Sequence, residues 1–466
     1  VGRGRGPPPG GHGLTDVNKN PNAPETVPPA NLLANAEYQT VAGTYGVNGI
    51  WYNLYLAETW SQQIAEAKYN DEDNYIPRPT QLSGVWNSIY AGPLKDLDQI
   101  KKYAAAGNDA QLGAVADVLM QLNFQVLTDT YGDIPYSQAL KADSGVTAPK
   151  YDTQKDVYYA MLAHLTQDAA ALSSGSSGSW GSGDFIYGGS LSKWRKFANS
   201  LRMRMAMRLA QADPAKAQSE FVAAYNAGGF TSNADNAALA FGSNQPDQAP
   251  YYDYWYNQNR SGDFVLAATL VDSLQLHHDP RLQVYAAPAT GGVYRGLPNG
   301  TLPGDYNRNV PDYSTVGSSL LAPDAPSYLM TYAEVSFLEA EAAARGWIAG
   351  SPATFYQQGI TASMQQYGIS GSAITTYLAD PKNAYAGLPS IWMQKWIALF
   401  GNGPEAWAEV RQNNYPNVTP APGFNTIPQR LTYPSEEQLL NSANWSAAVS
   451  NNGGKSLFDK MWWDRT

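Results

Sequence analysis

Residues 191–210, LSKWRKFANSLRMRMAMRLA, place the tightest constraint on what this chain can fold into. At helical spacing Trp194, Ala198, Leu201, Met205 and Leu209 fall on one stripe, with Arg195, Arg202 and Arg208 flanking it. A helix this apolar has to be buried. Guanidinium groups carried inside with it need carboxylates at hand, because an unpaired buried charge is strongly unfavourable. A second stripe, Tyr328, Tyr332, Val335, Leu338 and Ala342 within 328–345, comes with Glu334, Glu339 and Glu341. These acids are expected to balance the arginine-rich helix in a shared core.

Apolar residues recur at mixed three- and four-residue spacing over 31–68, 81–106, 109–130 and 152–172, and again over 352–368, 389–400, 404–413 and 435–450. Gly132 suits a left-handed cap after 109–130 and Pro135 forbids continuation, while Gly346 is placed to cap 328–345. Helix pairs with short loops predict a mainly α fold with a TPR-like solenoid scaffold. No clean repeat of about 34 residues is visible. Residues 1–30, opening VGRGRGPPPGGHG, read as an extended Gly/Pro-rich arm. Residues 31–466 read as a single domain, with helical scaffold at 31–227 and 328–466 and an irregular region at 228–327. That region is rich in Gly, Pro, Asn, Asp and Tyr, is helical only near 263–277, and is too long to be mere connection. Large elaborations on a helical frame are where binding function sits. The run SSGSSGSWGSG at 173–183 predicts a flexible loop that leaves Trp180 as an exposed contact.

Charge and motifs narrow the function. A formal net charge of −10 leaves no basic field for nucleic acid. The absence of Cys removes disulfides, thiolate zinc sites and thiol nucleophiles. No apolar run is long enough to span a bilayer as a helix, and no signal peptide stands at Val1. The four His (His12, His164, His277, His278) form no HExxH, no Ser sits in a GxSxG elbow, and Gly453-Gly454-Lys455-Ser456 lacks the first Gly of a phosphate loop. Asp71, Glu72 and Asp73 lack the Gly and distal Glu of an EF-hand loop. No catalytic residue, cofactor or metal site is therefore assigned. A carboxylate pair assembled by the fold would still support a glycan- or peptide-active enzyme, and TPR-like pairs would also suit a structural or assembly protein. The 31 Tyr against 12 Phe, with 13 Trp, point to rings that need a wet edge as well as an apolar face.

Several segments together resemble the SusD/RagB family and its SusD-like nutrient-binding branch. DVNKNPNAPETV near the start, LTDTYGDIPYSQAL (127–140), the arginine-rich helix, MTYAEVSFLEAEAAARGW (330–347), QKWIALFGNGPEAWAEVR (394–411), RLTYPSEEQLLN (430–441) and the closing KMWWDRT occur in family order. The resemblance implies a mainly α protein in which TPR-like helix pairs form a solenoid scaffold supporting a large irregular ligand-binding half, and a non-enzymatic cell-surface role. Such a protein binds oligosaccharide or peptide and acts as a hinged lid on a SusC-like TonB-dependent outer-membrane transporter. It also implies a lipid anchor on the extracellular face of the outer membrane, through a Cys that this chain does not contain.

A glycan site needs aromatic faces for sugar C–H surfaces and polar groups for hydroxyls. Tyr251, Tyr252, Tyr254, Trp255, Tyr256, Asn257 and Arg260 supply both within one short stretch. Strand-like alternation there would bury some rings and expose others, and packing is the competing role. Tyr294 and Arg295 in a Gly-rich turn, then Tyr306, Asn307, Arg308 and Tyr313, are further candidates. Trp86 and Asn87 would face the same cleft if Trp86 were not core, and Trp462 and Trp463 are expected to be scaffold.

Overall fold

The computed structural model describes residues 27–300 and 309–464. Most of the expected N-terminal arm, and Tyr306, Asn307 and Arg308, lie outside the described residues. The chain is mainly helical, as the periodicity predicts. Its first part holds α1 (Pro29–Val41), α2 (Pro79–Ala91), α3 (Pro93–Gly107), α4 (Ala110–Tyr131), α5 (Gln154–Ala171), α6 (Leu191–Arg208) and α7 (Pro214–Ala227). The middle holds α8 (Pro250–Tyr252), α9 (Ala268–Leu276) and α10 (Leu282–Tyr285). The last part holds α11 (Tyr332–Ala344), α12 (Pro352–Gln366), α13 (Gly371–Ala379), α14 (Leu388–Ala398), α15 (Gly403–Asn413), α16 (Ser435–Leu440) and α17 (Ser442–Asn452).

Local chemistry sets the helix ends. Pro79, Pro93, Pro214 and Pro352 open their helices, where a missing N–H costs nothing. The Asp109 carboxylate accepts from the Leu112 N–H at 2.9 Å, and the Thr331 hydroxyl accepts from the Glu334 N–H at 3.2 Å. Gly132 follows α4 at φ +85° and Gly346 follows α11 at φ +74°, both positions reserved for residues without a Cβ.

α3 packs on α4, α4 on α5, α5 on α6 and α6 on α7, so each hairpin buries its stripe against the next. α6 also meets α11, which packs in turn on α12 and α14. The main apolar cluster runs from Leu33 to Trp463 and so draws on both ends of the chain. Among the described residues three small antiparallel ribbons decorate this frame: β1 (Ile64–Glu66) with β3 (Phe264–Leu266), β2 (Ala237–Leu239) with β6 (Ser327–Met330), and β4 (Ala286–Ala287) with β5 (Thr315–Val316).

Three local expectations are corrected. Residues 31–68 are not one helical stretch. α1 stops at Val41, the chain turns through Gly43, Gly46 and Gly49, and a π-helix spans Ile50–Glu58 before β1. A Cβ on Gly49 would lie 2.1 Å from the Gly43 carbonyl oxygen, so this turn closes only around glycine. Tyr328 belongs to β6 rather than to the helix that follows. Trp180 is 3% exposed, packed into the main cluster rather than offered to a partner, and the Gly/Ser run around it forms a short 3-10 turn.

The arginine-rich helix is balanced as its composition demands, with a change of partners. Arg204 meets Glu334 in a two-pronged pair, Nε–Oε1 2.6 Å and Nη2–Oε2 2.7 Å, and Nη2 also donates to the Leu329 carbonyl at 2.9 Å. Arg208 donates to Glu405 at 2.5 Å and lies 3.4 Å from Asp129, while Arg202 pairs with Glu220 of α7. Beside them Lys395 sits 2.6 Å from Glu409 and 3.8 Å from Glu341, which Arg345 also holds at 2.7 Å. Arg208 and Arg204 hold the Glu405 carboxyl below its usual range despite burial. Arg411 stacks on Trp407 with its guanidinium carbon 3.7 Å from the ring centroid, and burial pushes its pKa down to about 10.

Replacing Arg204 by Met strands Glu334 in the core and is expected to cost about 3–5 kcal/mol. The double variant Arg204→Met/Glu334→Leu should regain most of that loss. Denaturant unfolding measures both, and a single-variant loss below about 1 kcal/mol would remove this pair from the foundations of the fold.

Candidate functional site

The π-helix Ile50–Glu58, the loop 67–78 and the segment 250–263 meet at one surface. Their junction is an oriented chain of hydrogen bonds. Arg260 Nη2 donates to the Tyr55 hydroxyl at 3.1 Å, Tyr55 and Tyr254 share a hydroxyl–hydroxyl bond of 2.7 Å, and Tyr254 donates to Asp263 Oδ2 at 2.8 Å. Asp263 also receives Arg260 Nε at 2.5 Å, and its carbonyl accepts from the Ala67 N–H at 2.8 Å. Burial pushes the hydroxyls of Tyr55 and Tyr254 above the ordinary tyrosine range, so both stay protonated and able to donate.

Aromatic rings and guanidinium groups gather over this junction. Trp51, half-buried, stacks on Tyr55 with centroids 4.5 Å apart. Arg78 lies 5.4 Å from the Trp51 centroid and 5.5 Å from that of Tyr55. Arg260 lies 5.9 Å from Tyr69 and 5.5 Å from Tyr254. Tyr69 is 39% exposed and Tyr256 is 53% exposed. Planar cations over ring faces are held by the ring quadrupole. The result is a set of polar-edged flat surfaces on a rigid base.

Most of the acids next to this face turn inward, while half-buried Asp253 accepts from the exposed Asn257 and Gln258 side chains. Glu66, Glu72, Asp73 and Asp263 are all buried, and only Asp71 of the 71–73 cluster is exposed. Glu66 Oε2 accepts from the N–H groups of Glu72 and Asp73 at 3.0 and 3.1 Å. Burial, reinforced by Glu72 and Asp73, pushes the Glu66 carboxyl well above its usual range. Among the described residues no three His, Asp or Glu are grouped to hold a metal ion.

Segment 250–257 is helical, a turn of α8 running into a π-helix at Asp253–Asn257, and not the strand-like alternation expected of it. Helical spacing divides the candidates. Tyr254 and Trp255 are 3% and 2% exposed and pack in the main core, so neither ring offers a face to solvent. Tyr251 also turns inward, donating to Glu58 Oε2 at 2.8 Å and accepting from Asn53 Nδ2 at 2.7 Å. Tyr252 and Tyr256 form the outward pair, with centroids 5.0 Å apart, and Asn257 is exposed beside them. Tyr294 is half-buried and Arg295 exposed. Ser314 exchanges hydrogen bonds with the Arg295 backbone, and half-buried Tyr313 packs on Ala65, Val265 and Leu297, so this group lies along the β1–β3 ribbon. Trp86 is core, among Tyr90, Tyr131, Tyr151 and Tyr433, and Asn87 is exposed.

Trp51, Tyr69 and Arg78 were not among the sequence candidates. Their signal was the pairing of IWYNLY after a glycine-rich turn with the Tyr- and Pro-bearing loop YNDEDNYIPRP, where helical texture breaks down.

Glu58 anchors the back of this site, accepting from Tyr251 and from the Gly401 N–H at 2.8 Å. Burial outweighs those bonds and raises its pKa from 4.5 to about 7. A raised folded-state pKa stabilises fully below the unfolded value, and that contribution is lost as pH rises through about 7. Relative to wild type, Glu58→Gln should therefore gain about 3 kcal/mol between acid and mildly alkaline pH. Unfolding curves across that range that stay parallel for the two proteins would contradict this.

Comparison with known proteins gives a consistent picture. Residues 21–434 match the SusD-like_2 family model, described as starch-binding associating with outer membrane. A chitin-binding protein of known structure is 28% identical with a TM-score of 0.82, covering 94% of this chain and 100% of that one. A SusD homologue from Bacteroides uniformis is 27% identical at a TM-score of 0.83, covering 94% and 99%. A chitin-binding SusD homologue from Flavobacterium johnsoniae is 25% identical at a TM-score of 0.82, covering 94% and 98%. No match is found among curated protein sequences. No helix among the described residues is long and apolar enough to cross a membrane. This chain belongs to the SusD-like family of outer-membrane-associated, starch-binding proteins.

Proposed function

We propose that this protein binds a neutral oligosaccharide, of chitin or starch type, on the face built by Trp51, Tyr69, Arg78, Tyr252, Tyr256 and Arg260. It holds the glycan without cleaving it and passes it to a SusC-like TonB-dependent barrel, over which it acts as a lid. A lipid anchor keeps it on the extracellular side of the outer membrane. Arg295 and Tyr313, along the β1–β3 ribbon, extend the surface for a longer chain.

The observation that carries this reading is the rigid group of rings and guanidinium groups at Trp51, Tyr69, Arg78 and Arg260, fixed from beneath by Tyr55, Tyr254 and Asp263. Flat faces suit the C–H surfaces of sugar rings, and guanidinium N–H groups suit hydroxyl oxygens. Two solved relatives described as chitin-binding support a saccharide. Glu66, Glu72, Asp73 and Asp263 turn inward, and two solved relatives are described by what they bind, which supports binding without turnover.

Calorimetry with chito- and malto-oligosaccharides should give binding that Trp51→Ala or Tyr256→Ala weakens about tenfold or more. Trp255→Ala, in contrast, should lower stability by about 3–5 kcal/mol, because it empties a core position. Unchanged affinity in both face variants would move the site elsewhere. Affinity capture from solubilised outer membranes should recover a large TonB-dependent barrel, and repeated failure to find one would end the lid reading.

A further inference from the structure

Around Trp51 and Arg78 the side-chain groups left over for a ligand are hydrogen-bond donors. Among the described residues the Trp51 indole N–H has no partner. Arg78 Nε lies 3.5 Å from Glu72 Oε1, and neither of its terminal Nη groups is hydrogen-bonded to a described residue. These groups stay within reach of a ligand. Both side chains are half-buried, that of Arg78 is 34% exposed, and none of the free N–H groups is closed off from solvent. Arg260 commits Nε to Asp263 and Nη2 to the Tyr55 hydroxyl, which leaves Nη1, and the Lys68 ammonium stands beside the Tyr69 ring, 5.5 Å from its centroid. Trp, Arg and Lys side chains carry no strong acceptor. The carboxylates paired with these cations, Glu72 and Asp263, are buried.

A donor-only corner is selective. A sugar hydroxyl both donates and accepts, so against Trp51 and Arg78 it uses its oxygen and leaves its hydrogen to water. An amide carbonyl is a pure acceptor with two lone pairs, and it takes two N–H groups with nothing left over. The flat amide and its methyl group also suit an aromatic face, and Arg78 lies 5.4 Å from the Trp51 ring centroid. Charge separates a neutral carbonyl from a carboxylate. Asp263 lies 2.5 Å from Arg260 and 3.8 Å from Lys68, Glu72 backs Arg78, and Asp71 is exposed on the same loop. These carboxylates offset the three cations, in a protein of formal net charge −10, so an anion gains little here.

We propose that Trp51 and Arg78 form a subsite for the acetamido group of an N-acetylated sugar, whose carbonyl accepts from their free N–H groups while its methyl lies on the indole. The face then selects N-acetylamino glycans over plain glucans. This rests on the glycan reading above and narrows it to one substrate class.

Chito- and cello-oligosaccharides of equal length test this by calorimetry, because they share one linkage and differ in carrying acetamido or hydroxyl on each ring. The acetamido series should bind wild type about tenfold tighter or more. Trp51→Phe keeps a ring and removes the N–H, whereas Arg78→Lys keeps the charge and removes the planar fork. Each should bring the ratio of the two affinities down by about threefold or more, at an unchanged melting temperature. Cello-oligosaccharides oxidised to carry carboxylates test the charge argument and should bind no tighter than the unmodified series. Equal affinity for the acetamido and hydroxyl series, a ratio unmoved in either variant, or tightest binding by the carboxylate series overturns the acetamido subsite. Oligosaccharide affinity that still falls in Trp51→Ala would then leave the face reading intact, and no binding of any series would overturn both.

Discussion

The pairing of Arg204 and Arg208 with Glu334 and Glu405 is the interaction on which the rest of the structure depends. It places Arg204, Arg208 and Glu334 where water cannot compensate them and leaves Glu405 only slightly exposed, so each is tolerable only while the others are in position. The groups come from α6, α11 and α15, and Asp129 of α4 and Lys395 of α14 adjoin them. Hydrophobic stripes alone would let helices slide past one another by a turn. A two-pronged guanidinium–carboxylate pair does not, since its geometry is satisfied in one register only. The network therefore sets how the N-terminal hairpins meet the C-terminal ones.

The candidate site hangs from the same frame. α15 starts at Gly403, whose N–H donates to Asn53 Oδ1 at 2.6 Å, and a Cβ there would come within 2.7 Å of both Asn53 Oδ1 and the Glu58 N–H nitrogen. The π-helix is thus pressed directly onto the helix that carries Glu405. From its other side Tyr55 reaches Tyr254 and Asp263, which in turn hold the 67–68 backbone. Core charge, π-helix and aromatic face form one mechanical path, and no flexible connector intervenes between the buried pairs and the exposed rings.

Much of the scaffold was legible in the sequence because helix periodicity and capping are local. Gly132, Gly346 and the stripe on α6 say where helices stop and which side they bury. The pairing of α6 with acids on α11 was legible as a need for charge balance, and Glu334 meets it. Which arginine serves was not, since Arg204 lies between the ones singled out and its role depends on α11 and α15 arriving from two sides. The site was harder to read. Tyr254 and Trp255 stand beside Tyr252 and Tyr256 in a run of rings that composition cannot divide, and only a helical turn sends one pair inward and the other outward. Trp51 was hidden because a stretch of apolar residues at mixed spacing reads as helix, while the glycine-bound turn at 43–49 is a tertiary closure with no periodic signature.

The sequence separation within the buried network has a consequence for how the chain comes to be folded. Arg204 stands 130 positions before Glu334, and Arg208 stands 197 positions before Glu405. As a ribosome or an export channel releases the chain from its N-terminus, α6 emerges long before the carboxylates that make its burial tolerable. The early hairpins then carry guanidinium groups that favour water over a core, and native closure waits until α15 is free. A core that cannot close early keeps the N-terminal half of the chain open until its C-terminal partners have been released.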